Sequence, residues 1–138
     1  MYYVIGLGSN LGDRHGRLLE ALERLPGLGI HPFRVAAFRE TAPIGPADRV
    51  FINSACLVRS ELGPHQVLDG CLALEGLLGR VRRQRWGNRS IDLDLLLAGE
   101  DPVGAGGLTL DDPNLKLPHP ELLKRDFALA PAAEIAKD

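Results

Sequence analysis

The sequence predicts an α+β domain, two helices packed on an antiparallel sheet, and three observations point there. Short runs of β-branched and aromatic residues alternate with two stretches of helical periodicity, in the order strand, helix, strand, strand, helix, strand. Clusters of Pro and Gly punctuate the ends of these runs. The 138 residues, 45% of them hydrophobic, suit a single compact domain, expected to cover 1–138.

Tyr2 to Leu7 is apolar and rich in β-formers, and the glycine-rich stretch that follows is expected to end the strand. In "DRHGRLLEALERLPGLG", Leu18, Leu19, Leu22 and Leu25 form a helical stripe; Asn10 or Asp13 can cap its start, and Pro26-Gly27 ends it. Ile30 to Phe38 reads as a second strand, which Pro32 confines to an edge or a strand start. "ETAPIGPADRV" brings Pro43, Gly45 and Pro46 together and reads as a stiff, shaped loop. The alternation in "FINSACLVRS" makes a third strand. Pro64 suits the first turn of a second helix, whose Val67, Leu68, Cys71, Leu74 and Leu78 form an apolar stripe, with Gly79 as its stop. Ile91 to Ala98 is the fourth strand, "AGEDPVGAGG" a turn, and "GLTL" a short further strand. This order matches the split βαβ, or ferredoxin-like, βαββαβ sandwich. That architecture serves many activities, so function must be read from the site.

A net charge of −2 gives nothing to draw the whole molecule to a polyanion, which argues against a general nucleic-acid or membrane-surface binder. Cys56 and Cys71 lack metal-ligand spacing and sit among apolar residues, as buried reduced thiols would. The opening "YYVIGLGSN" shows no charged leader, and no apolar run approaches the ~18 residues of a membrane helix. A cytoplasmic protein, monomeric and acting on small molecules, is expected.

Alternation along the fourth strand puts Asp92 and Asp94 on one face and Ile91, Leu93, Leu95 and Leu97 on the other. Two strand rises separate the aspartates by about 6.5 Å at Cα, close enough for their oxygens to converge on hard cations. A solvated strand face is the bland explanation of such a pair. Just upstream, however, "RVRRQRWGNR" gathers Arg80, Arg82, Arg83, Arg85 and Arg89 without an acid. Carboxylate-held Mg²⁺ beside arginine forks is what a polyphosphate needs for charge neutralisation and alignment. Trp86 suits stacking on a base. His119, between Pro118 and Pro120, has a fixed backbone that can aim its imidazole at a phosphate. "GLGSNLG" is one residue too long for a dinucleotide fingerprint, so a structural strand-to-helix turn is expected there. The same residues leave open a metal-dependent phosphodiesterase or nuclease, and the topology an RNA-binding module, although strand four carries no aromatics.

"RWGNRSIDLDLLL" closely resembles the signature of the 6-hydroxymethyl-7,8-dihydropterin pyrophosphokinase family, folate-pathway enzymes that move a diphosphate from ATP to a pterin alcohol. "GLGSNLGD", "ETAPIGPADRVFINSA" and "LPHPELLKRDF" resemble three further blocks of that family, in order. The resemblance implies two Mg²⁺ ions on Asp92 and Asp94. It implies that Arg80 and Arg89 lie in a loop closing over the reactants, mobile when empty, with Arg82 and Arg85 assisting at phosphates and Trp86 sealing the pocket. Glu75, Leu95, Lys116, His119 and Arg125 match ATP-side positions, His119 and Arg125 at phosphates. Phe51 and Phe127 would sandwich the pterin, while Asn53, Thr41 and backbone near Pro43 and Ile44 meet its polar edge. Pro120 stands where some relatives carry an aromatic residue.

Overall fold

The computed structural model describes residues 1–42, 49–79, 90–101 and 107–120. Its elements run β1 (Tyr2–Ser9), α1 (Arg14–Arg24), β2 (His31–Val35), β3 (Arg39–Thr41), β4 (Phe51–Arg59), α2 (Pro64–Leu77), β5 (Asp92–Gly99), β6 (Leu110–Asp111) and β7 (Lys116–Leu117). The main sheet has the order β2-β4-β1-β5, with β3 also paired to β4, and every pairing is antiparallel. β6 and β7 form a separate two-stranded ribbon.

Alternation decides which residues meet the helices. Tyr3, Ile5 and Leu7 of β1, with Leu93 and Leu95 of β5, enter one buried cluster with Leu18, Ala21 and Leu25 near α1 and with Val67, Cys71 and Leu74 of α2. A smaller cluster, Val4, Ala55, Leu57 and Leu96 with Ala36, lies on the opposite face. Met1 and Ser60 exchange main-chain hydrogen bonds at 3.0 Å, tying the start of β1 to the end of β4.

The helix boundaries follow their caps. Asp13 caps α1, its carboxylate accepting from Gly16 N–H at 3.0 Å. Asn10 does other work, described below. Pro64 occupies the first turn of α2, and the Gln66 side chain accepts from Gly63 N–H at 3.0 Å. Gly79, at φ +86°, ends α2 in the left-handed region. A Cβ there would meet nothing within 4 Å, so Gly79→Ala should cost only the backbone term, about 1–2 kcal/mol. Urea unfolding is the check.

Several expectations are corrected. The α1 stripe uses Leu18, Ala21, Leu22 and Leu25, whereas Leu19 is 54% exposed, one helical step of 100° off the buried face. The segment from Ile30 to Phe38 is not one strand: β2 ends at Val35, and Arg39–Thr41, partly assigned to a loop, forms β3 on the same neighbour. A break at 36–38 lets Ala36 accept from the Ser54 hydroxyl at 2.7 Å while donating to Ala55 O at 2.9 Å. Pro32 does sit in an edge strand, beside a register shift at Pro32/Arg34. β1 continues through its glycines to Ser9 and does not stop at Leu7. Finally, Leu97 leaves the helix-side face. A register shift opposite Val4/Ile5 inserts an extra residue in β5, so Leu96 and Leu97 both pack on the far cluster and Ala98 returns to the main core.

The ribbon is tethered to α2. Asp112 accepts from Asn114 N–H and Leu115 N–H, and its carboxylate lies 2.7 Å from His65 Nε2. The His65 hydrogen bond and these main-chain donors hold the Asp112 carboxyl below its ordinary value. A lowered folded value means stability that is present above the unfolded pKa and lost as pH falls through the folded one. The Tm difference between wild type and Asp112→Ala is therefore expected to shrink as pH drops below about 3.9. Melting curves at a series of acid pH values read this directly.

Candidate active site

The sheet face turned away from the helices carries the polar residues. Because Leu93 and Leu95 face the helices, Asp92 and Asp94 project from the other side, where both are partly exposed. On β1 the same alternation brings Gly6 and Gly8 to that face. Gly8 is paired with Asp92 on one side and Asn53 on the other; Gly6 is paired with Asp94 and Ala55. Two cross-strand rows result, each with glycine in the middle. Across β1, the strands β4 and β5 lie about 9.5 Å apart, and the side chains that lean over the glycines are Asn53, with Oδ1 2.6 Å from where a Gly8 Cβ would stand, and Leu96, with Cδ1 3.2 Å from where a Gly6 Cβ would stand. The polar row is therefore the Asn53-Gly8-Asp92 one, and the Gly6 row is covered by an apolar side chain.

The β4 end of the upper row is built to hold an amide in place. Asn53, 5% exposed, donates through Nδ2 to the Thr41 hydroxyl of β3. Thr41 itself is paired with Phe51, so Thr41, Phe51 and Asn53 share one corner. A Cβ on Gly8 would stand 2.6 Å from Asn53 Oδ1 and 3.8 Å from a Phe51 ring carbon, which is why glycine occupies that position. Asn10, buried at the end of β1, donates to Arg49 O at 3.0 Å, and Arg14 donates to Val50 O at 2.9 Å. They fasten the chain entering β4 to the β1–α1 turn.

The β5 end is framed along its outer edge. Glu75 of α2, 3% exposed, accepts from Leu93 N–H at 2.8 Å. His119 N–H donates to Leu96 O at 2.9 Å, placing the half-buried histidine beside the same strand. Lys116, on β7, pairs with Asp111 at 3.2 Å with its side chain largely in solvent. Leu95 is 2% exposed and its side chain belongs to the helix-side core. Beneath the strand, burial, then the charge of Glu75, then that of Asp94, push the Cys71 thiol up to about 12. Cys71 and Cys56 are both buried free thiols, Cys56 likewise pushed up, and neither offers a nucleophile at neutral pH.

Thr41, Phe51, Asn53, Glu75, Asp92, Asp94, Leu95, Lys116 and His119 are thus placed, and all but Lys116 lie on or against the three strands β3, β4 and β5. Pro43, Ile44, Arg80, Arg82, Arg83, Arg85, Trp86, Arg89, Arg125 and Phe127 fall outside the described residues. Sequence reasoning missed Gly6, Gly8 and Asn10. It tested the glycines against a nucleotide-loop pattern and took them for a turn; the period-two alternation of β1, carried two residues further, places Gly8 opposite the aspartates.

Asp92 and Asp94 present hard oxygen donors on one face and both are partly exposed, so this donor set fits Mg²⁺. Among the described residues no group of three or more Asp, Glu, His or Cys side chains forms a closed metal cage.

The profile of the 7,8-dihydro-6-hydroxymethylpterin-pyrophosphokinase family matches residues 4–137. A 2-amino-4-hydroxy-6-hydroxymethyldihydropteridine pyrophosphokinase of Methylorubrum extorquens is 42% identical over 97% of this chain and 82% of its own. That of Pseudomonas aeruginosa is 39% identical over 97% of this chain and 80% of its own. The Bacillus subtilis relative of the same name is 36% identical over 96% and 77%. With matches of this extent, the chain belongs to the 7,8-dihydro-6-hydroxymethylpterin-pyrophosphokinase family.

Proposed function

We propose that this protein is an ATP-dependent diphosphotransferase of folate biosynthesis, which moves the diphosphate of ATP to the hydroxymethyl oxygen of 6-hydroxymethyl-7,8-dihydropterin and releases AMP. The observation that carries the reading is the pair of rows Asn53-Gly8-Asp92 and Ala55-Gly6-Asp94, in a chain of this family. They support a flat ring near Asn53 with its reacting arm directed at the carboxylates.

In this reading Phe51 and Phe127 cover the two faces of the ring, while Asn53, Thr41 and main chain near Pro43 and Ile44 take its amide and amine edge. Asp92 and Asp94 would hold two Mg²⁺. Bound there, the ions neutralise phosphate charge and align attacking and leaving oxygens. Arg80, Arg82, Arg89 and Arg125, with Lys116 and His119, bind the ATP phosphates; Glu75 and Leu95 lie on the ATP side, and Trp86 helps exclude water. The hydroxymethyl oxygen attacks the β-phosphorus in line and AMP leaves, without a covalent enzyme intermediate. The order of strands and helices supports the ferredoxin-like arrangement for this single domain over 1–138. A net charge of −2 supports small-molecule partners over nucleic acid, and no helix among the described residues is long and apolar enough to cross a membrane; the reading takes the protein as a monomer acting in the cytoplasm.

Incubation with ATP, Mg²⁺ and the pterin alcohol should yield AMP and pterin diphosphate in equal amounts. Formation of ADP, or AMP release that ignores the pterin, contradicts the proposal; cleavage of phosphodiesters without ATP would assign the same carboxylates to a nuclease.

A further inference from the structure

We propose that Glu75 is a positioning residue: from α2 it grips the Leu93 N–H on the outer edge of β5 and so sets the aim of Asp92 and Asp94. This rests on the reading of those two carboxylates as cation ligands. Among the described residues β5 is the last strand of the main sheet path, with β1 along its inner side. Neighbouring N–H groups of a strand point in opposite lateral directions. Since Leu93 N–H bonds to Glu75 Oε2 at 2.8 Å, it points away from β1, and Asp92 and Asp94 on either side of it are the residues whose main chain turns toward β1. Leu93 is thus the pivot between the two carboxylates. Rotation of the strand about its axis at this point would swing both aspartates in the same sense, away from or toward a ligand on that face.

Among the described residues, two bonds near this point oppose that rotation, and Leu108 N–H to Ala98 O at 2.8 Å adds a third farther along β5. Glu75 holds Leu93 N–H, and three residues on, His119 N–H holds Leu96 O at 2.9 Å. The first anchor is a costly one. Glu75 lies one turn beyond Cys71 and one residue past Leu74, inside the stripe with which α2 covers the sheet, and it is 3% exposed. Burying a carboxylate there is unfavourable unless strong hydrogen bonds compensate, and a leucine would serve packing better. The side-chain acceptor instead makes a buried hydrogen bond that a rotating strand must break. The arrangement is that of an outer partner orienting metal-ligating groups, transmitted through one peptide unit of the strand.

The test compares Glu75→Gln, whose amide oxygen can still accept from Leu93 N–H, with Glu75→Leu, which cannot. Two quantities are read: exchange of the Leu93 amide hydrogen by NMR in the free protein, and Mn²⁺ affinity by electron paramagnetic resonance in the presence of a non-hydrolysable ATP analogue. Glu75→Gln should keep the Leu93 protection and the Mn²⁺ affinity within about twofold of wild type, while Glu75→Leu exchanges faster and binds Mn²⁺ about tenfold or more weakly. Wild-type Mn²⁺ affinity in Glu75→Leu, or a glutamine variant as weak as the leucine one, overturns the proposal. Should Glu75→Leu fail to fold, Glu75→Ala, which also cannot accept from Leu93 N–H, takes its place, faster Leu93 exchange with weakened Mn²⁺ binding supporting the proposal and wild-type Mn²⁺ affinity refuting it. Asp94→Ala, measured alongside, separates the two levels: if it too binds Mn²⁺ normally, the cation site itself is misassigned, whereas weakened binding there with normal binding in Glu75→Leu removes only the positioning role.

Discussion

Asp94→Ala is expected to lower kcat by about a thousandfold, roughly 4 kcal/mol of transition-state stabilisation, while leaving the protein folded. The size follows from what is removed. A carboxylate that fixes a divalent cation contributes most where charge builds up between the attacking oxygen and the departing AMP, and solvent cannot replace it with an equally fixed group. The fold should survive because Asp94 is partly exposed on the far face opposite Gly6, outside the helix-side cluster that Leu93 and Leu95 join. Steady-state kinetics with saturating substrates, together with a melting curve, distinguish the outcomes: near-normal kcat would make the acidic pair a solvated strand face.

Gly8→Ala should weaken binding of the pterin by about 10- to 100-fold, with much less effect on Tm. The new methyl group would sit 2.6 Å from Asn53 Oδ1, well inside contact distance. Asn53 cannot swing aside freely, because it is buried and its amide is held by Thr41. Either that bond breaks or β1 shifts at Asp92's partner position, and displacing a hydrogen-bonded buried amide costs about 1–3 kcal/mol. Calorimetric titration of the pterin alcohol into the variant measures it. Wild-type affinity would show that the ligand does not lie across the Asn53-Gly8-Asp92 row.

These two substitutions also show why the sequence was readable in some places and not in others. Asp92 and Asp94 stand out because a polar pair inside a leucine run violates the expected composition of a core strand, and alternation alone settles which face they take. Helix α2 was legible for the same reason, its apolar spacing bounded by Pro64 and Gly79. Gly8 left no such mark. A missing side chain matters only through its neighbours, and those neighbours, Asn53 and Asp92, come from strands 40 or more residues away. Glu75 was placed by family resemblance alone; its contact with Leu93 depends on how α2 packs on β5, which no local pattern encodes. Leu97 was misplaced because one inserted residue in β5 reverses the alternation, and a bulge has no signature in a run of three leucines.

In the proposed function the far face of β5 holds the cations that serve diphosphate transfer. Counting Mn²⁺ by electron paramagnetic resonance, with a non-hydrolysable ATP analogue and the pterin alcohol both bound, tests it most directly. Two ions per wild-type protein, and one or none in Asp94→Ala, is the predicted result; an unchanged count in Asp94→Ala would contradict it.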